Sequence, residues 1–290
     1  MHCPTSIPTC DASGTQWRRF SSAVLRATPL APAAALVIGA NTGNINTDPS
    51  FRWLVAPALR EVVKVFVEPL PRMHSLLRAN LVNVTHATAV QAAITPESQN
   101  VQMFCVVPDI QADGSVAAPA WWSQVCSLDR ERLFSEYDML RGLADGLAGA
   151  SVRTAERTAA IARRVHSTSV PGLSVDDLLR KHVPSGVRVE YVQIDAEGAD
   201  DRIVASLPFF PVSRGGDKQV AGFLPATVVF EHVLLSEGRR RRAMDRLLAH
   251  GYSMCCDFQN VVAVQNVTYA ALRERVHARG RSRPRSTRRF

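Results

Sequence analysis

The chain has 290 residues, 46% hydrophobic and 21% charged, which excludes a disordered or fibrous protein and supplies material for a sizeable core. Its 34 Lys and Arg against 26 Asp and Glu give a net charge of +8, but residues 271–290 hold eight Arg and one Glu, a net +7, leaving +1 for residues 1–270. A nearly neutral body with a basic tail is not a basic binding face, so composition does not make this a nucleic-acid protein.

Residues 1–33 read as an N-terminal segment with a helix near Trp17–Arg26. The segment is poor in acid and rich in Ser and Thr, which also fits an organelle transit peptide. No basic stretch followed by an apolar one marks a secretory signal, and no apolar run reaches the roughly 20 residues that span a bilayer. The six cysteines, at 3, 10, 105, 126, 255 and 256, include no CxxC pair, which points away from a disulfide scaffold or zinc ribbon and toward a reducing, cytoplasmic setting. Asn83-Val84-Thr85 and Asn266-Val267-Thr268 match the glycosylation pattern and, without a secretory signal, read as chance.

The apolar run Ala34–Ala40 predicts a buried strand that ends in Gly39-Ala40-Asn41-Thr42-Gly43. Asp48 and Pro49, a cap followed by proline, predict a helix to about Arg60. Val62–Val67 is a second strand ending at Glu68-Pro69, and Pro71 opens a helix with Met73, Leu76, Leu77 and Asn80 at helical spacing. Val84–Val90 and Val101–Val107 predict a third and a fourth strand. Residues 112–165 break the rhythm as a mostly helical insertion, and a strand at Val165–Val170 resumes it. A helix follows at Ser174–His182, then a strand at Val189–Ile194 ending in Asp195-Ala196-Glu197-Gly198, and a helix to about Leu207. A Gly/Pro-rich loop at 209–225 leads to a strand at Ala226–Val233, a helix at Glu237–His250, and a closing hairpin of Tyr252–Asp257 with Val261–Gln265. Strands alternating with helices predict an α/β protein: a mostly parallel sheet of about seven strands, covered by helices on both faces, with an antiparallel C-terminal hairpin. One domain, residues 34–270, accounts for nearly all of it.

Four constellations carry chemistry. The glycine turn lets backbone approach a ligand. Glu68, at the next strand's end, can accept both hydroxyls of a ribose diol. Asp195 and Glu197, placed on one side by strand alternation, can orient a hydroxyl, take its proton or hold a divalent cation; the plainer role for Asp200 is to cap the next helix. His232, beside Glu231, can serve as a base near neutral pH. The turn and Glu68 together point to a ribose-bearing cofactor without separating a nicotinamide dinucleotide from S-adenosylmethionine.

Val37-Ile-Gly-Ala-Asn-Thr-Gly43, Val65-Phe-Val-Glu-Pro-Leu-Pro71 with the Leu77…Asn80 helix, Ser174-Val-Asp-Asp-Leu-Leu179 and Val192-Gln-Ile-Asp-Ala-Glu-Gly198 resemble, in this order, the successive signatures of FkbM-type methyltransferases. The resemblance spans about residues 34–265. It implies a class I, Rossmann-like methyltransferase sheet and S-adenosylmethionine as cofactor. It also implies cofactor contacts from Gly39, Ala40, Asn41, Gly43, Glu68 and Pro69, with Asp195 and Glu197 beside the transferred methyl group. The expected acceptor is a hydroxyl on a sugar or small molecule, and no metal is assigned. The chain departs from the family pattern at Val37, where Asp is usual, and at Gln193, where Lys is common. The alternatives are a non-catalytic interaction protein that keeps the fold, a nucleic-acid methyltransferase and an NAD-dependent oxidoreductase. Arg239–Arg242 reads as a solvated helix face, and the Arg-rich tail at 271–290 as a disordered accessory with weak affinity for anionic partners.

Overall fold

The computed structural model describes residues 10, 33–44, 49–106, 126–130, 133, 162–163, 165–209, 223–256 and 259–266. The helix expected at Trp17–Arg26, the cap at Asp48, most of the 112–165 insertion, residues 210–222 of the Gly/Pro loop and the Arg-rich tail lie outside them.

Strand β1 (Ala33–Ile38) is buried along its whole length, as a strand covered on both faces must be. It pairs in parallel with β2 (Val63–Val67) on one side and β9 (Arg188–Ile194) on the other. β3 (Ala87–Val90) adds beyond β2, and β10 (Thr227–Glu231) beyond β9, both parallel. β12 (Asn260–Gln265) then runs antiparallel to β10, and β11 (Tyr252–Cys256) antiparallel to β12 at the edge. The order is β11-β12-β10-β9-β1-β2-β3, seven strands with the expected antiparallel hairpin.

Side-chain alternation splits the core in two. Ala34, Leu36, Ile38, Val65, Val192, Ile194, Val228 and Phe230 point to the face covered by α3 (Val175–His182), α4 (Asp200–Ser206) and α5 (Glu237–Ala249), through Leu178, Ile203 and Leu247 among others. Ala35, Val37, Phe66, Tyr191 and Val229 point the other way, against Phe51 and Leu54 of α1 (Pro49–Leu54) and Leu77 of α2 (Pro71–Asn80). Both faces of the sheet are therefore helix-covered.

Several boundaries differ from expectation for local reasons. α1 stops at Leu54 instead of Arg60 because Pro57 forces Ala56 into extended backbone (φ −60°, ψ 145°), and only a short 3₁₀ turn, Pro57–Leu59, follows. β3 starts at Ala87 instead of Val84, after His86 in the left-handed region at φ 53°. α3 has the expected cap, with Ser174 Oγ accepting from Asp177 N at 3.2 Å, and acid in its first turn and base in its last. In α2, Met73 and Leu77 are buried, whereas Leu76 faces solvent.

Two expected strands do not belong to the main sheet. β5 (Val101–Val106) and β7 (Val165–Val170) pair antiparallel with each other, and β6 (Cys126–Ser127) adds to β5, making a separate three-stranded sheet. Their half-exposed patterns suit a two-layer flap better than a doubly covered core strand. A two-stranded parallel pair, β4 (Ala93–Ile94) with β8 (Gly172–Leu173), joins this flap to α3.

The cysteines correct the reading made from their spacing. Cys10 is bonded to Cys255 and Cys105 to Cys126, Cys256 is also disulfide-bonded, and no described cysteine is free. Spacing concealed this because the partners are 245 and 21 residues apart and meet only through the fold. Cys10 also donates its backbone N–H to Cys256 O at 2.8 Å, so Cys10 lies against edge strand β11. Disulfides persist in oxidising compartments, which removes the ground for a cytoplasmic setting. Among the described residues no helix is long and apolar enough to cross a membrane.

Candidate active site

The four central strands end level with one another. Phe230 is paired with Ile194, Ile194 with Ile38, and Ile38 with Val67. The next residue of each strand is Glu231, Asp195, Gly39 and Glu68, so three carboxyl groups and one glycine stand in a row across the sheet's carboxyl edge. At about 4.8 Å per strand, Glu68 and Glu231 are roughly 14 Å apart. Ligands in open α/β sheets bind at this edge.

Gly39, at φ 81°, is required by the backbone behind it. A Cβ there would lie 1.7 Å from the carbonyl oxygen of Asp195. Gly39 and Ala40 both donate to Val67 O at 2.9 Å, and Asp195 N donates to Ile38 O at 2.9 Å, so this crossing sets the relative position of three strand ends. Gly43, at φ 60°, is close-packed on Phe51 and Leu77, where a Cβ would come within 2.6 Å of each. The glycines thus act through packing that shapes the loop. Gly39→Ala is expected to destabilise the fold by more than about 3 kcal/mol, because Asp195 must move and the left-handed backbone adds its own cost. A thermal melt checks this; a melting temperature within a degree or two of the parent would refute it.

Glu68 is buried, and its two carboxylate oxygens tie the loop after β1 to the start of α2. Oε2 accepts from Asn41 N and Oε1 from Leu70 N, each at 2.9 Å. Burial, with a smaller push from the Asp195 charge, outweighs the lowering by the two backbone N–H groups and leaves its pKa raised from 4.5 to about 7. Each oxygen retains a lone pair for a ligand hydroxyl. Asn41 sits in left-handed backbone at φ 49°, and its Oδ1 is buried without a partner, an acceptor left over for a ligand donor. Asn80 Nδ2 of α2 donates to Thr42 O at 2.8 Å, fastening the same loop. Ala40 is buried beneath it, and Pro69 follows Glu68 on the way into α2.

The strand-alternation argument for Asp195 and Glu197 does not survive. β9 ends at Ile194, and Glu197 and Gly198 form a left-handed turn at φ 47° and 84°. Asp195 is nevertheless exposed and Glu197 half-buried, and both lie near enough to Glu231 for their charges to act on it. Asp200, fully buried, builds this turn. Its Oδ2 accepts from Gly198 N at 3.1 Å, and its Oδ1 from Ala196 N and Glu231 N at 3.3 Å each. Burial, then the Asp195 charge, raises the Asp200 pKa to about 7. Arg239 of α5 closes the turn from behind, pairing with Asp201 and donating to Gly198 O at 3.0 Å. Of the run Arg239–Arg242, then, Arg239 is a structural clamp, whereas Arg241 is solvated.

His232 is wholly buried, and its backbone N donates to Gln259 O at 2.8 Å. Glu231 ends β10, its Oε2 is buried without a partner, and burial together with Asp195, Glu197 and Asp200 raises its pKa far above the carboxylate range. Strand register marks the position: Glu231, not His232, follows directly on Phe230, the last residue paired to β9. No group of three or more His, Cys, Asp or Glu arranged to hold a metal occurs among the described residues. Val37 is buried in the apolar cluster of Phe51, Phe66 and Tyr191.

No curated protein and no solved structure matches the chain. Residues 38–254 match the family model of the methyltransferase FkbM domain, from the last residue of β1 into β11. That span is well over half of the chain and contains all four strand-end positions, and the chain belongs to the FkbM methyltransferase domain family.

Proposed function

We propose that the protein transfers a methyl group from S-adenosylmethionine to a hydroxyl oxygen of a sugar or small molecule, on a sheet of the class I, Rossmann-like methyltransferase type. The strand order supports the fold reading. One observation carries the site reading: the level strand ends line up Glu68, Gly39, Asp195 and Glu231 along one edge.

The residues present fit the cofactor. Glu68 has lone pairs free to accept a ribose diol. Asn41 Oδ1 is an unpartnered buried acceptor beside it, suited to an ammonium or hydroxyl donor. Gly39, Ala40, Gly43 and Pro69 shape the cradle around these two. When bound, S-adenosylmethionine supplies an electrophilic methyl group. Asp195 and Glu197 orient the acceptor hydroxyl and take its proton, and Glu231, neutral near pH 7, donates a hydrogen bond. Holding nucleophile and methyl carbon in line provides most of the acceleration.

Calorimetric titration with S-adenosylmethionine and its demethylated product, with NAD as control, tests the cofactor. Micromolar binding, about −8 kcal/mol, is expected for the first pair and none for NAD. Glu197→Gln is expected to leave that binding intact and to lower turnover about 100-fold, within the usual range for general-base removal. An unchanged turnover would take Glu197 out of the mechanism. A second reading, a non-catalytic interaction protein, draws on Val37, whose burial leaves no charge for the cofactor's methionine end. Absence of binding in the same titration would favour it.

A further inference from the structure

We propose that Asn83 is an N-glycan acceptor and that the chain folds in an oxidising, lumenal compartment. Two independent observations meet here. The first is the set of disulfides: Cys10–Cys255, Cys105–Cys126 and a bonded Cys256, with no described cysteine free. A cytosolic chain would be held in the thiol state by the reducing pool, so bonds that join Cys10 to edge strand β11, and β5 to β6, belong to a chain that matured elsewhere.

The second is the surroundings of Asn83-Val84-Thr85. This triplet has the acceptor pattern, with no proline in the middle. It lies in the turn between α2 and β3, where acceptor sites are reachable. Asn83 and Thr85 are exposed, and the Asn83 side chain makes no hydrogen bond among the described residues. Thr85 Oγ1 donates to Arg60 O at 2.9 Å on the surface, where water can replace it.

Position supports the assignment too. The turn enters the amino end of β3, the strand at one edge of the sheet. The carboxyl groups of the active site are at the opposite, carboxyl ends of the strands. A branched sugar on Asn83 therefore leaves the cleft open. The other triplet is less suited: Asn266 Oδ1 accepts from Ser253 Oγ, and its backbone N donates to Gly251 O at 3.0 Å.

The chemistry requires a lipid-pyrophosphate-linked oligosaccharide and its transferase. The side-chain amide nitrogen of Asn83 forms a bond to C1 of the first sugar and loses a proton to a base of the transferase. The bond from C1 to the pyrophosphate oxygen breaks, and its electron pair leaves with the lipid pyrophosphate. No oxidant or reductant takes part in that step.

The test is a peptide map of the full chain, purified without reductant from the cells that make it. Treatment with peptide N-glycosidase in heavy-oxygen water should convert position 83 to labelled Asp, and the non-reduced map should show both cystine peptides. Asn83→Gln made in the same cells should lose the glycan and keep the disulfides and S-adenosylmethionine binding. An unmodified Asn83 in a chain that carries its disulfides would overturn the acceptor assignment. Free thiols at these cysteines would overturn the compartment. Neither outcome depends on whether the methyl acceptor is a sugar or a small molecule.

Discussion

Glu68→Ala is expected to weaken S-adenosylmethionine binding about 100-fold and to lower the stability of the ligand-free protein as well. The two losses have one cause. The carboxylate accepts from Asn41 N on the first loop and from Leu70 N ahead of α2, both at 2.9 Å, and alanine replaces neither bond. Hydrogen bonds to a charged group contribute about 1.5–3 kcal/mol each, so a stability loss of about 3–5 kcal/mol is expected. A hundredfold loss of affinity corresponds to about 2.7 kcal/mol and represents the ribose contacts together with the disordered cradle. Glu68→Gln separates the contributions: its carbonyl can accept one of the two N–H groups, whereas its NH₂ opposes the other. It should fall between parent and alanine in stability. The pKa of about 7 adds a pH signature. The carboxylate is the better acceptor for a diol, so affinity should rise as pH increases from 6 to 8. Calorimetry across that range checks it, and a Glu68→Ala protein that binds like the parent would remove Glu68 from the cofactor site.

What was legible in the sequence is the part of the fold whose signal is local. β1 is a continuous apolar run that ends at Gly39, and β2, β9 and β10 are apolar-rich runs, interrupted by residues such as Lys64, Glu190 and Gln193, that end in Glu68, Asp195 and Glu231, so the strand ends and their chemistry could be read together. The hairpin of β11 and β12 was legible for the same reason. β5 and β7 read as strands but not as a separate sheet, because their pairing joins residues roughly sixty to seventy apart in the chain. The disulfides were hidden for the same reason. The early end of α1 is readable in principle, since Pro57 constrains Ala56, whereas the Asp48-Pro49 signal marks only where the helix begins. At β10 the last strand residue is Glu231, and His232 follows it outside the strand, wholly buried.

Glu231→Gln should therefore behave almost as the parent in turnover while changing how stability depends on pH. Burial and the charges of Asp195, Glu197 and Asp200 keep the Glu231 carboxyl protonated in the folded protein near neutrality, and glutamine copies that neutral, hydrogen-bond-donating state. In the unfolded chain the group ionises near 4.5. A carboxyl whose folded pKa lies above its unfolded value stabilises the fold fully below the unfolded value and loses that contribution as pH rises through the folded one. Glu68 and Asp200, both raised to about 7, add in the same direction. Stability is expected to fall from about pH 4.5 toward pH 8, by at most about 1.4 kcal/mol per pH unit for each such group. Glutamine at 231 removes one of these groups, so the decline should become shallower and the variant should gain relative stability at pH 8. Thermal melts of both proteins at pH 5 and pH 8 measure this. Turnover supplies the second reading. A base whose carboxylate takes the proton would lose at least about 100-fold on becoming glutamine, whereas a neutral donor should retain activity within a few-fold. A large loss in Glu231→Gln with an unchanged pH slope would make Glu231 the proton acceptor and leave Asp195 and Glu197 to orient the hydroxyl.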